Sequence, residues 1–409
     1  MMKTFASTLA LFVVLASNLH AADWPAWRGS TGQGFSEDTA IPLTWSETEN
    51  VKWKVPLEYQ GNSTPIVFGK KIFLTQANDK GATRSLLCLS RTDGKLLWKQ
   101  DISYPGKELS WNPNWYCNSS PVTDGERVIV SFASAGMFCY DMDGKPLWNR
   151  TDLGEWQHKF GSGSSPIIYG DTAILWCGPN EKAGKNFLLC VDKNTGKTVW
   201  EHEEQYGSWV TPVIIKHDGK DQLLLGTRPS VKGLDPKTGN ELWSCGGHNK
   251  FVYASPIYGN GMVVGMTGYN GQAFAVKLGG SGDITSDRLW LHPKATQRVG
   301  SGMVIGDHIY IVEESGIPHC YELKTGKEVW QVKKRPEGGK TWGSMVHANN
   351  RLYVLMKTGT TLVFDASPTY KVLATNTLER GAGTNSSLAV SNGEIFLRTF
   401  KNLYCITKK

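Results

Sequence analysis

The chain has 409 residues, with 44 Lys and Arg against 37 Asp and Glu for a formal charge of +7. That mild basicity is spread along the sequence without the concentrated Lys/Arg stripe that phosphate binding uses, so nucleic acid is excluded as an expected partner. Beyond the N-terminus no segment approaches the ~20 uninterrupted apolar residues of a membrane helix, so no integral membrane segment is expected.

In chain order, Lys3, the apolar run from Leu9 to Leu15, and the small residues up to Ala21 and Ala22 follow the pattern of a secretory signal. Residues 1–21 are therefore expected to be a signal peptide, and no cysteine marks the expected cleavage point for a lipid anchor. The remainder is expected in the periplasm or outside the cell. Residues 22–50 read as an N-terminal arm, polar and Gly-rich from Asp23 to Pro42, either lying on the following domain or forming a flexible leader.

From residue 51 to 409 the sequence repeats itself, and self-similarity at a spacing of 20–50 residues or slightly more points to an array or a ring. The clearest copy runs from Ser164-Ser165-Pro166 through Leu189-Cys190-Val191-Asp192 to Thr195-Gly196-Lys197 and Trp200. Equivalent openings recur at Ser63-Thr64-Pro65, Ser119-Ser120-Pro121, Thr211-Pro212, Ser255-Pro256, Gly302-Met303, Ser344-Met345 and Ser386-Ser387-Leu388. Segments such as Arg127 to Phe132 and His308 to Val312 are rich in β-branched and aromatic residues bounded by Gly and Asp, the composition of strands. Proline suits an innermost strand whose channel-facing edge lacks a ladder partner, and the small residues beside it suit the crowded centre. The Asp-Gly and Thr-Gly pairs are hairpin turns, and the Trp that follows can pack between neighbouring units.

The fold expected is all-β: a single eight-bladed β-propeller of four-stranded antiparallel blades. The last copy stops after its third strand, while Val51 to Lys54 is a Trp-bearing strand with no copy before it. Joining the two would close the ring and hide both sheet edges.

The Ser-Pro opening, the Leu-x-small-x-Asp third strand and the Thr-Gly-Lys-x-x-Trp ending resemble the pyrroloquinoline quinone (PQQ) repeat of the quinoprotein alcohol dehydrogenase-like superfamily. The start Asp23-Trp24-Pro25-Ala26-Trp27-Arg28-Gly29 also resembles secreted PQQ-like proteins of planctomycete-type bacteria. The resemblance implies the propeller fold. It leaves function open, because the same repeat serves oxidoreductases and outer-membrane assembly scaffolds. Quinone-dependent members hold PQQ over calcium, usually with an adjacent Cys-Cys pair and an Asp base. No Cys-Cys occurs here, nor a Cys-x-x-Cys-His haem site.

Eight cysteines in an exported chain suggest disulfides. Five of them, Cys88, Cys139, Cys190, Cys320 and Cys405, occupy one repeat position and read as small buried apolar residues, too far apart to bridge. One disulfide among Cys117, Cys177 and Cys245 is left open. Asp141-Met142-Asp143-Gly144 lacks the remaining ligands of a calcium loop and reads as a hairpin. No metal site and no catalytic residue is assigned.

The residue preceding each opening motif should recur around one channel mouth, giving Asn62, Asn118, Gly163, Trp209, Tyr253, Gly300, Trp342 and Asn385. Loops leading there add Tyr59, Trp111, Asn114, Trp115, Tyr116, Trp156, His158, Lys159, Phe160, Tyr206, His248, Phe251, Arg298 and Arg380. Aromatic faces interrupted by amides and charges are the usual lining of a small-molecule site. The expectation is a non-catalytic, monomeric scaffold binding a small molecule, glycan or envelope protein, with a PQQ-dependent alcohol or sugar dehydrogenase and an outer-membrane assembly scaffold as alternatives.

Overall fold

The computed structural model describes residues 23–111, 114, 116–181, 184–295, 298–379 and 381–408, so the expected signal peptide, Trp115 and Arg380 lie outside the described residues. Eight antiparallel sheets follow one another along the chain. Blades 1 to 7 span residues 66–103, 122–150, 167–204, 213–246, 257–292, 303–331 and 346–377. Blade 8 combines residues 389–407 with Val51–Pro56, which pairs antiparallel with Asn402–Thr407. The expected closure by an N-terminal strand is therefore present, and the fold is an eight-bladed propeller. Among the described residues no helix is long and apolar enough to cross a membrane.

The repeated tryptophan locks one blade to the next. Trp98, Trp148, Trp200 and Trp290 each stand opposite a small third-strand residue, namely Cys88, Cys139, Cys190 and Ala275. Each donates its indole N–H to a backbone carbonyl of the following blade, at Met142 (3.0 Å), Lys193 (2.9 Å), Pro236 (3.2 Å) and Leu323 (2.8 Å). Trp53 does the same to Arg91 across the closure. The ring then lies on the hairpin glycine of that neighbour. A Cβ on Gly196 would meet Trp148 at 2.7 Å, and one on Gly239 would meet Trp200 at 2.5 Å. These glycines thus serve twice, since Gly196 and Gly239 also hold φ of 71° and 73°.

Blade 4 departs from the pattern. Trp243 turns onto its own Gly233 and donates to Gln222 Oε1 (2.7 Å), and a short strand, Gly282–Asp283, adds in parallel outside it.

At the channel, a closed belt of hydrogen bonds joins all eight blades. The backbone N–H of Thr64 donates to Ser120 Oγ, that of Ser120 to Ser165 Oγ, that of Ser165 to Thr211 Oγ1, and that of Thr211 to Ser255 Oγ. The series continues through Ser301, Ser344 and Ser387 and returns to Thr64 Oγ1, every link being 2.9–3.1 Å. These hydroxyls sit one residue before the inner-strand proline or its equivalent. Small size suits the crowded centre, as the sequence suggested, and hydrogen bonding supplies the reason for Ser and Thr there.

The arm lies across the far end of the channel. Trp24 pairs with Val67 of blade 1, Pro25 O accepts from Thr123 N of blade 2, and Gln33 Oε1 accepts from Tyr258 N of blade 5. Arg28 is fully buried and donates to Gly302 O of blade 6, and Phe35 bridges to His347 of blade 7. Trp24, Ile41 and Trp45 join the apolar core of blades 1, 7 and 8. All eight cysteines are free and buried, so the disulfide left open among Cys117, Cys177 and Cys245 is not formed. Each cysteine belongs to an apolar cluster formed where neighbouring blades pack together.

Candidate functional site

With the arm across one end, the channel becomes a cup of about 510 Å³ open at the opposite mouth. Trp27 of the arm lines it, as do six belt hydroxyls, those of Thr64, Ser120, Ser165, Thr211, Ser344 and Ser387. A volume in this range is that of a small-molecule pocket.

One arc of the wall is amide. Asn62 Nδ2 donates to Asn118 Oδ1 (2.7 Å) and Asn114 Oδ1 (3.0 Å), and Asn385 Nδ2 donates to Asn62 Oδ1 (3.2 Å). Asn118 Nδ2 in turn reaches Ser162 O (2.9 Å), and Asn114 Nδ2 reaches Phe160 O (2.5 Å). This chain fixes which way each amide faces.

The facing arc is aromatic. Trp209 stands 4.8 Å from Tyr253 and 6.3 Å from Phe160, with its indole N–H donated to Gly161 O (2.7 Å). Trp111 packs edge-on to Phe160 and Tyr269 stacks on it, at 5.9 and 6.0 Å. Burial in this cluster raises the Tyr253 hydroxyl well above the ordinary phenol range. Lys159 and Glu314 are the charged residues of the lining. Glu314 Oε1 accepts the indole N–H of Trp342 (3.0 Å), and Lys357 Nζ lies 3.2 Å from the centre of the Trp342 ring. Burial lowers the Lys357 ammonium to about 8, partly opposed by Glu314.

Of the residues singled out from sequence, Asn62, Trp111, Asn114, Asn118, Trp209, Tyr253, Trp342 and Asn385 line this one cavity. Tyr59, Tyr116, Trp156, His158, Tyr206, His248, Phe251, Arg298 and Gly300 do not. Tyr116 packs under the Arg84 guanidinium (5.4 Å) and against Gly81. Trp156 is buried in the core of blades 2 and 3. His158 is 2% exposed, accepts the Phe160 N–H at Nδ1 (3.0 Å), has Nε2 2.8 Å from Glu181, and meets Trp209 edge-on at 4.5 Å. It supports the aromatic arc from outside the cavity. Arg298 is buried beside Tyr321 and Glu313, and desolvation lowers its pKa.

Trp27, Tyr269, Glu314 and the belt hydroxyls line the cup without having been singled out. Tyr269 and Glu314 follow second strands, Met262–Met266 and His308–Val312. In an up-and-down blade the end of the second strand returns to the mouth where the first began, so topology carried that signal. Trp27 had none, because the arm's path across the channel is a tertiary feature.

The residues present do not fit a calcium-held quinone. Calcium takes six to eight oxygen ligands with carboxylates prominent among them. Among the described residues no three His, Cys, Asp or Glu side chains converge on one point, and Glu314 is the carboxylate of the cup.

A family model described as outer membrane protein assembly factor BamB matches residues 44–203 and 89–332. A BamB of Alkalilimnicola ehrlichii is 24% identical over 54% of this chain and 52% of its own length. The dehydrogenase subunit of a quinone alcohol dehydrogenase from Komagataeibacter europaeus is 22% identical over 83% of this chain and 46% of its own length. The chain thus spans about half the length of these curated relatives. Among solved structures, a europium-containing methanol dehydrogenase superposes with a TM-score of 0.68 at 11% identity, covering 92% of this chain and 89% of that one. That likeness concerns the fold. The matched segments together run from residue 44 to 332, well over half of the chain, and on that ground this propeller belongs to the outer membrane protein assembly factor BamB family.

Proposed function

We infer that this chain is an exported, non-catalytic scaffold of the cell envelope or extracellular space, holding a ligand or partner at the aromatic and amide cup. The lining carries this reading. Stacking faces and hydrogen-bonding amides surround the cavity, and its one carboxylate among the described residues is engaged by the Trp342 indole. Oxidation of an alcohol asks for a base within hydrogen-bond reach of the substrate hydroxyl, and Glu314, the carboxylate of the described lining, already accepts that indole N–H. Family membership supports the scaffold reading, since its namesake is an assembly factor.

The test is calorimetric titration of the purified protein with PQQ in calcium-containing buffer, followed by dye-reduction assays with simple alcohols and sugars. The expected result is neither heat nor dye reduction. Micromolar or tighter binding with turnover would replace the scaffold by a quinoprotein dehydrogenase.

A further inference from the structure

The cup sorts its chemistry by direction. Amides Asn385, Asn62 and Asn118 form one arc, Phe160, Trp209 and Tyr253 form another, and hydroxyls ring the base. Building on the binding-scaffold reading, we propose that the cup receives the end of a neutral oligosaccharide. A sugar ring lies against the aromatic arc while its hydroxyls engage the amides and the belt.

A pyranose presents an apolar C–H face and a rim of hydroxyls that both donate and accept. Aromatic faces take the first surface, and Asn, Ser and Thr side chains answer the second with donors and acceptors of their own. Each of the six belt oxygens at the cavity already accepts a backbone N–H, which leaves its O–H proton and one lone pair for a ligand. The amide chain is ordered in advance, which lowers the ordering cost of binding.

Charge separates this ligand from its competitors. Lys159 and Glu314 supply one charge of each sign, so an acidic sugar or a quinone carrying several carboxylates would bring charge that the lining does not match. Length is indicated at the rim. Trp111 is 55% exposed and Tyr269 44% exposed, on either side of Phe160. They extend the stacking surface beyond the cup, as suits a chain more than a single sugar.

The probe is an array of immobilised neutral and acidic oligosaccharides, followed by fluorescence titration of the best neutral binder. Neutral glycans should be bound in preference to acidic ones. Trp111→Ala, at an exposed position, should leave the melting temperature unchanged and weaken binding about three- to tenfold, and Trp209→Ala should weaken it further. An array blank for neutral glycans, a preference for acidic ones, or unchanged affinity in both variants would overturn the proposal. A blank array without PQQ turnover removes the glycan and leaves the scaffold, whereas PQQ turnover removes the scaffold itself.

Discussion

The Oγ of Ser165 accepts the buried N–H of Ser120 from the neighbouring blade. Ser165→Ala would leave that donor without a partner in a site too crowded for easy rescue, a loss of about 1–3 kcal/mol. Ser165→Thr keeps an acceptor and should cost less. Urea midpoints of the two variants make the comparison, and equal midpoints would mean that the belt contributes nothing. His248 gives a residue-scale pH dependence. Its Nδ1 faces Thr227 O at 2.8 Å, and because a carbonyl only accepts, Nδ1 carries the proton. Nε2 is buried without a hydrogen-bond partner among the described residues. Burial lowers the imidazole to about 4, whereas the unfolded chain takes up its proton near the ordinary ~6.5. Stability present above that value should therefore fall as pH drops from about 6.5 to 4. NMR titration should show the His248 ring unprotonated at pH 5.5. The Ser/Thr before each proline was visible in the sequence and was read as small, because its partner lies a full blade away and no local pattern reveals it.

The hairpin glycine and the tryptophan of the preceding blade form the next unit of organisation. Gly196 shows the coupling: its φ of 71° disfavours any side chain, and a Cβ would meet the Trp148 ring at 2.7 Å. Gly196→Ala should cost about 1–2 kcal/mol for the left-handed backbone alone, with more for displacing the indole from Lys193 O. A lower melting temperature together with altered tryptophan fluorescence checks this, and a drop without a spectral change would place the cost in the turn only. Blade order, hairpins and the closing strand were legible because they repeat or complete a repeat. Trp243 was not: it has the same spacing as its equivalents yet turns inward, since Gly233 opposite it leaves room and the following blade replaces the tight hairpin with a longer connection whose Gly282–Asp283 strand pairs alongside Trp243. The same limit hid Trp27, whose neighbours at the cup are set by an arm that crosses between blades.

For the whole molecule, one ring with one stopped channel explains why the mouth residues read from sequence largely meet in a single cavity. Of the mouth positions placed by the repeat register, Asn62, Asn118, Gly163, Trp209, Tyr253, Trp342 and Asn385 line that cavity, and Gly300 does not. Trp156, Tyr116 and Arg298 misled because loop residues next to the mouth can turn either into the cavity or back onto a blade, and size and burial decide which. The cysteines are governed by the ring as well. Eight cysteines, in a chain expected from its sequence to be exported, would ordinarily be read as disulfide-linked, yet the propeller places the five repeat-position cysteines in five different blades and buries all eight as free thiols. Burial pushes the thiols of Cys88, Cys117, Cys139 and Cys320 up to about 12, so little thiolate exists at neutral pH to attack or exchange. A thiol-specific reagent should therefore label none of the eight in the native protein and all eight after denaturation, and added reductant should leave the melting temperature where it was. A count below eight in denaturant, restored by reductant, would mean that a bridge holds the ring. A full count in the native state would mean that the blades open far more readily than their packing implies.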